Sequence, residues 1–130
     1  MEFTVKNKFI KISPRKLRPV LYGLRGQTAE QALIATKFIN KKGAYFIHNL
    51  LKSGVAAAKE NYLEPNQVFI KTFCCDEGPR IKRFIPWSKG AARRIAKPMS
   101  HLCLVLESAE EKKAETKATD INKDNNKENS

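Results

Sequence analysis

Between Glu77 and Glu107 the chain runs for 29 residues without a carboxylate. The same stretch holds Arg80, Lys82, Arg83, Lys89, Arg93, Arg94 and Lys97. A surface in contact with water alone usually mixes its charges to limit self-repulsion. A single-sign stretch persists where something neutralises it, and phosphate is the common counter-charge. The pattern inside it also limits the fold. Arg80–Pro86 and Arg93–Lys97 read as two strand arms around a turn containing Gly90. Neither arm alternates strongly enough to cover a core, and a two-stranded ribbon is only marginally stable in water by itself. A basic ribbon of this kind, reaching roughly 30 Å at strand rise, is expected to project from a globule into a polyanion.

The rest of the charge supports that division. Residues 1–107 hold 20 Lys+Arg against 7 Asp+Glu, a net +13, whereas residues 108–130 hold 5 Lys against 6 Asp+Glu, a net −1. The last segment has no aromatic residue and one bulky aliphatic, Ile121. Such a composition buries too little apolar surface to offset its ordering entropy. It is expected to be a disordered charged tail, with at most transient helix at Glu110–Lys117. Residues 1–107 are expected to form one RNA-binding domain, with the extended hairpin at about 79–99. No apolar run approaches the ~20 residues of a membrane span. The first residues, MEFTVKNKF, lack the apolar centre of a signal peptide.

The globule reads as strand, three helices, then strands. Phe3 and Val5 alternate with Thr4 and Lys6, the period of a strand. Ser13-Pro14 predicts a helix start with Ser13 as N-cap. Leu17, Val20, Leu21 and Leu24 form its apolar stripe, Pro19 interrupts its ladder, and Gly26 is the expected stop. Thr28-Ala-Glu-Gln31 has the form of a capping box opening a second helix, with Ala32, Leu33 and Thr36 inward. Asn40 is the expected cap of a third. Its stripe is Ala44, Ile47, Leu51, Val55, Ala58 and Tyr62, and small residues from Gly54 onward allow a neighbour close approach. Gln67–Cys75 and His101–Glu107 predict two further strands, with a break or bend at Gly78-Pro79. Helices segregated from mostly antiparallel strands give the α+β class: a small globule of three helices on a mostly antiparallel sheet, with a long protruding hairpin.

The ordered motifs Ile12-Ser-Pro-Arg-Lys-Leu-Arg18, Leu24-Arg25-Gly26, Leu51-Lys-Ser53, Asn61-Tyr62 and Asp76-Glu-Gly-Pro79 are followed by Lys82-Arg-Phe84, Pro86, Lys89-Gly90, Arg94-Ile95, Lys97 and Ser100-His101. Together they resemble the L-twenty-two family of large-subunit ribosomal proteins, bacterial or organellar in type, over about residues 3–107. The resemblance implies a structural protein of the large subunit whose hairpin enters ribosomal RNA and helps line the nascent-peptide exit tunnel. It implies RNA contacts at Ser13, Arg15, Lys16, Arg18 and Arg25 beside the globule. Arg80, Lys82, Arg83, Arg94 and Lys97 would line the hairpin, with His101 at its base, and the basic Lys89 and Arg93 complete the expected RNA-binding set. The tunnel-facing tip would be Pro86, Trp87, Ser88, Lys89, Gly90, Ala91 and Ala92. The implied partners are ribosomal RNA, neighbouring ribosomal proteins and the nascent peptide, with no membrane and no homo-oligomer. The implied place is the cytoplasmic ribosome, an organellar one being left open. Trp87 and Ala91 stand where the family commonly has Arg, and Arg93 adds a charge.

Other chemistry is poorly supported by the residues. Three cysteines without zinc-type spacing suggest neither a disulfide scaffold nor a metal module. Cys74, Cys75 and Cys103 are read as buried reduced thiols, with Cys74 and Cys75 on opposite faces of a strand. His48 is read as structural. His101 has two readings, an RNA donor or a local backbone partner. Trp87 either stacks on an exposed base or packs at the tip. Asp76 and Glu77 have no third carboxylate nearby in sequence, and are expected to pair with Arg80 or Lys82 rather than hold a metal. With no nucleophile triad, phosphate-binding glycine loop or HExxH motif, neither an enzyme nor a cofactor is expected.

Overall fold

The computed structural model describes residues 2–61 and 63–108. Six main elements follow one another: β1 (Glu2–Ile10), α1 (Pro14–Tyr22), α2 (Ala29–Phe38), α3 (Lys42–Glu60), β2 (Val68–Pro86) and β3 (Ala92–Ser108). Short 3₁₀ turns at Pro65–Gln67 and Ser88–Gly90 precede β2 and join β2 to β3. The strands form one antiparallel sheet in the order β1-β3-β2. The fold is therefore α+β, as the chain pattern predicts. Tyr62, the expected 109–130 part of the tail and the helix weighed at Glu110–Lys117 lie outside the described residues. Ser108, placed at the start of that tail, instead closes β3 opposite Val68 and is buried.

The core follows from the periodicities. Along β3, Leu102, Leu104 and Leu106 are buried while the residues between them are half-exposed, so one sheet face carries the helices. Against it lie Leu17, Val20 and Leu21 of α1 and Ile47, Leu51 and Val55 of α3. Each fully buried aliphatic of this kind stabilises by about 1.5–3 kcal/mol relative to exposure. The centre of α3 approaches β3 closely, because a Cβ at Gly54 would lie 2.8 Å from Leu106 Cδ1 and 3.2 Å from Leu104 Cδ2.

Helix ends depart from expectation in three ways, one in capping chemistry and two in position. Ser13 has the extended backbone of an N-cap, but its side chain makes no capping hydrogen bond. The third helix is capped at Lys41, not Asn40. α1 ends at Tyr22, and Gly26 ends the following turn rather than the helix. Gly26 has φ +76°, and its N–H donates to Ile70 O at 3.2 Å, so pairing with β2 sets the turn. Thr28 does form the predicted capping box with Gln31. Pro19 sits inside α1, past its first turn, so its missing N–H removes one ladder bond.

A candidate nucleic-acid interface

Beyond Glu77 and Ser100, β2 and β3 leave the helices behind and continue as a two-stranded ribbon. A register shift between Glu77 and Arg80 marks the departure, at the Gly78-Pro79 step where the sequence predicts a bend. Side chains alternate between the faces of a ribbon, and directly paired residues share one. One face carries the pairs Ile81–Lys97, Arg83–Ile95 and Ile85–Arg93. The other carries Arg80–Pro98, Lys82–Ala96, Phe84–Arg94 and Pro86–Ala92. Three cations thus lie on each face, and neither face holds an acid. A ribbon that lay along a protein surface would gain nothing from charging both faces. One surrounded by phosphates would.

The tip closes through Trp87 N–H to Ala91 O at 2.8 Å and Ala91 N–H to Ser88 O at 3.2 Å. Lys89 and Gly90 take left-handed backbone, φ 54° and 73°, which Gly90 adopts without a side-chain penalty. Trp87 is 59% exposed, with the Arg93 guanidinium 5.2 Å from its ring centre. Phe84 is 67% exposed and has Arg94 at 5.7 Å. Exposed rings paired with guanidinium groups are stacking platforms for unpaired bases. His101, at the ribbon's root, accepts the Phe9 N–H on Nδ1 at 3.0 Å. The acceptor role of Nδ1 in the neutral ring puts the proton on Nε2. His101 therefore makes the local backbone bond through one nitrogen and retains a donor on the other.

Beside the root lie two clefts. The larger, of about 620 Å³, is lined by Lys11, Arg15, Lys16, Lys41, Lys42 and Lys97 together with uncharged residues, and by no acid among the described residues. The smaller, of about 310 Å³, brings Ser13 and Arg15 to Arg80, with Glu77 at its rim. The structure thus joins Ser13, Arg15, Lys16, Arg80 and Lys97 into one basic region. Lys11, Lys41 and Lys42 extend it and are absent from the sequence-derived set. The adjacent Lys41 and Lys42 were the signal available for two of them. Lys89, at the distal tip, stands apart from this region.

Arg18 and Arg25 lie elsewhere, against the free edge of β2. Arg18 donates to Cys75 O through Nε and Nη2 at 3.4 and 3.3 Å. Arg25 donates to Phe73 O at 3.3 and 2.9 Å. Ile70 N–H donates to Gln27 O at 3.1 Å, and Thr28 bridges to Phe69. α1 and the turn after it therefore cover the edge strand's outward carbonyls, a contribution of these arginines that sequence reasoning missed. Glu77 pairs with Arg80 at 3.4 Å, as expected, but both are well exposed and such a pair contributes little. His48 shares a 3.0 Å hydrogen bond with Thr36 Oγ1, in keeping with a structural role. Glu107 is buried, and Lys71 reaches both it (3.5 Å) and Glu2 (2.9 Å). The Lys71 ammonium beside Glu2 holds its carboxyl below the usual range. Of the three cysteines only Cys75 is buried; Cys74 and Cys103 are half-exposed, which corrects their reading as buried thiols.

A small α+β globule whose basic residues gather on a protruding ribbon and in a cleft at its root has the charge distribution of a polyanion-binding protein. Comparison with known proteins is specific. The chain belongs to the family described as ribosomal protein L22p/L17e, whose model matches residues 5–107. A relative from Chloroflexus aggregans is 36% identical over 107 residues, covering 82% of this chain and 95% of that one. One from Thermus thermophilus is 36% identical with the same coverage. One from Leptospira biflexa is 40% identical over 114 residues, 86% of this chain and 98% of its own. Each is named large ribosomal subunit protein uL22. The family is structural and non-enzymatic.

Proposed function

We propose that this protein is a structural constituent of the large ribosomal subunit that binds ribosomal RNA with both faces of its ribbon and with the cleft at the ribbon's root. Family membership supports the ribosomal role. The observation that carries the RNA contact is the ribbon's charge, three cations on each face and no acid on either. Arg gives planar, bidentate contact to phosphate and stacks on bases, while Lys acts as a point charge. Most such contacts position the protein, and RNA shape and unpaired bases supply selectivity. With the ribbon embedded in RNA, the tip from Pro86 to Ala92 lines the nascent-peptide exit tunnel. The globule faces neighbouring ribosomal proteins, and residues 1–107 act as one RNA-binding domain. No helix among the described residues is long and apolar enough to cross a membrane.

Lys82 and Arg83 test the reading, because they stand on opposite faces of the ribbon. Changing both to Ala should weaken binding to large-subunit RNA. It should also flatten the dependence of log K on log salt by about 1–2 units, near 0.7–0.9 for each phosphate no longer neutralised. The measurement is a salt titration of affinity, with sedimentation through a moderate-salt wash as its cellular counterpart. An unchanged slope refutes contact on both faces. Crosslinking to many messenger RNAs, without ribosomal RNA, would instead identify a free RNA-binding regulator.

A further inference from the structure

Cys74 and Cys103 are direct partners in the β2–β3 register. Both are half-exposed and free, on the sheet face away from the helices, whereas Cys75 points into the core. Burial pushes the Cys75 thiol up, so it stays protonated and inert.

The edge hydrogen bonds fix the kind of pair that Cys74 and Cys103 form. Phe73 O and Cys75 O point outward, to Arg25 and Arg18. Backbone polar groups alternate in direction along a strand, so those of Cys74 point inward to β3. Cys74–Cys103 is thus a hydrogen-bonded antiparallel pair, with Cα atoms about 5.5 Å apart. That spacing lies within the ~4.4–6.8 Å a disulfide requires. The Cβ atoms of such a pair sit near the wide end of ~4.5–5.5 Å. A disulfide needs about 3.5–4.5 Å, so the strands must draw together to form one. The resulting bond is strained and readily reduced, the property of labile rather than structural disulfides.

We infer that Cys74 and Cys103 are an oxidant-sensitive dithiol that closes to a reversible intramolecular disulfide across the neck of the hairpin. With hydrogen peroxide, one thiolate attacks an oxygen, the O–O bond breaks, and a sulfenic acid forms with release of water once hydroxide is protonated. The partner thiol attacks that sulfur, the S–S bond forms, and a second water leaves. The two sulfurs together lose two electrons, which the peroxide takes up. The link sits just inside the point where the ribbon departs, so it encloses the entire ribbon in one covalent loop. It ties the two strands together at the base of the ribbon, which beyond the neck has no core of its own. This inference does not depend on the RNA reading.

The full chain, reduced and free of RNA, is titrated with hydrogen peroxide, alkylated, digested and mapped by mass spectrometry. Expected are one alkylatable thiol of the three and a 74–103 crosslinked peptide pair, with fragmentation assigning the bond to Cys74 rather than Cys75. Millimolar glutathione should restore all three thiols. Cys75→Ala should retain the crosslink. Cys103→Ser, treated with glutathione disulfide, should yield a mixed disulfide at Cys74. Thermal unfolding of the oxidised wild-type chain should move upward. The inference is overturned if the bond maps to Cys75, if only covalent dimers form, or if three thiols remain alkylatable after oxidant. Because mapping on the wild-type chain suffices, a variant that fails to fold does not remove the test.

Discussion

A guanidinium beside an exposed strand edge has two acceptors to choose from, a carbonyl of its own protein and a phosphate from outside. At Arg25 the carbonyl is already engaged, through two N–H groups to Phe73 O, while the Tyr22 ring lies 4.9 Å from the guanidinium carbon. Arg18 does the same at Cys75 O. Each guanidinium has five N–H donors, so those left over remain available to RNA. Hydrogen bonds from a charged group contribute about 1.5–3 kcal/mol when well buried, and these are only partly buried. Arg25→Ala is therefore expected to lower the unfolding free energy by about 1 kcal/mol before any RNA is present, measured by urea unfolding. Unchanged stability with weakened RNA affinity would assign the side chain to RNA alone. The edge contact was not legible in the sequence for a definite reason. Which carbonyls face outward depends on the register shift between Ile70 and Thr72. The bulge shows in the sequence only as two consecutive polar residues, Lys71-Thr72, inside a stretch that reads as one continuous strand.

The helices and strands themselves were largely legible, because their burial follows period. Leu102, Leu104 and Leu106 alternate, and Ile47, Leu51 and Val55 recur on one side of α3. The ends were less so, since tertiary contacts decide them. Gly26 turns where β2 holds its N–H, not where α1 runs out of good helix formers. Gly54 shows the same dependence in packing. The sequence marks it as a place for close approach, and only the fold says that β3 makes that approach. Gly54→Val should force Leu106 and Leu104 from their places at a cost of about 1–3 kcal/mol, as overpacked cores do. At roughly 4–8 °C per kcal/mol for a domain of this size, the loss is visible in a thermal melt. Ala56→Val, exposed on the same helix, should change stability by only a few tenths of a kcal/mol. Equal effects at the two positions would mean that helix propensity, not contact with β3, governs Gly54.

Across the whole molecule, the net charge of +12 resolves into two surfaces that meet at one place. The ribbon carries its cations outward on both faces, and Lys97 at its root also lines the larger cleft with Lys41 and Lys42 of the α3 start. The ribbon half was written in an uninterrupted, acid-free stretch of sequence. The cleft half was not, because its lysines come from segments about 30 and 55 residues apart along the chain. If a single RNA engages both surfaces, their phosphate contacts add. Lys41→Ala with Lys42→Ala should then flatten the salt dependence of binding by about 1–2 units, as the Lys82 and Arg83 pair does, and all four together by about 2–4. Stability should hardly change, since the Lys41 side chain makes no capping hydrogen bond. Well-separated sites without shared partners are expected to combine additively. A fourfold variant no different in slope from the ribbon variant alone would show that RNA leaves the cleft empty and that the hairpin carries the contact by itself.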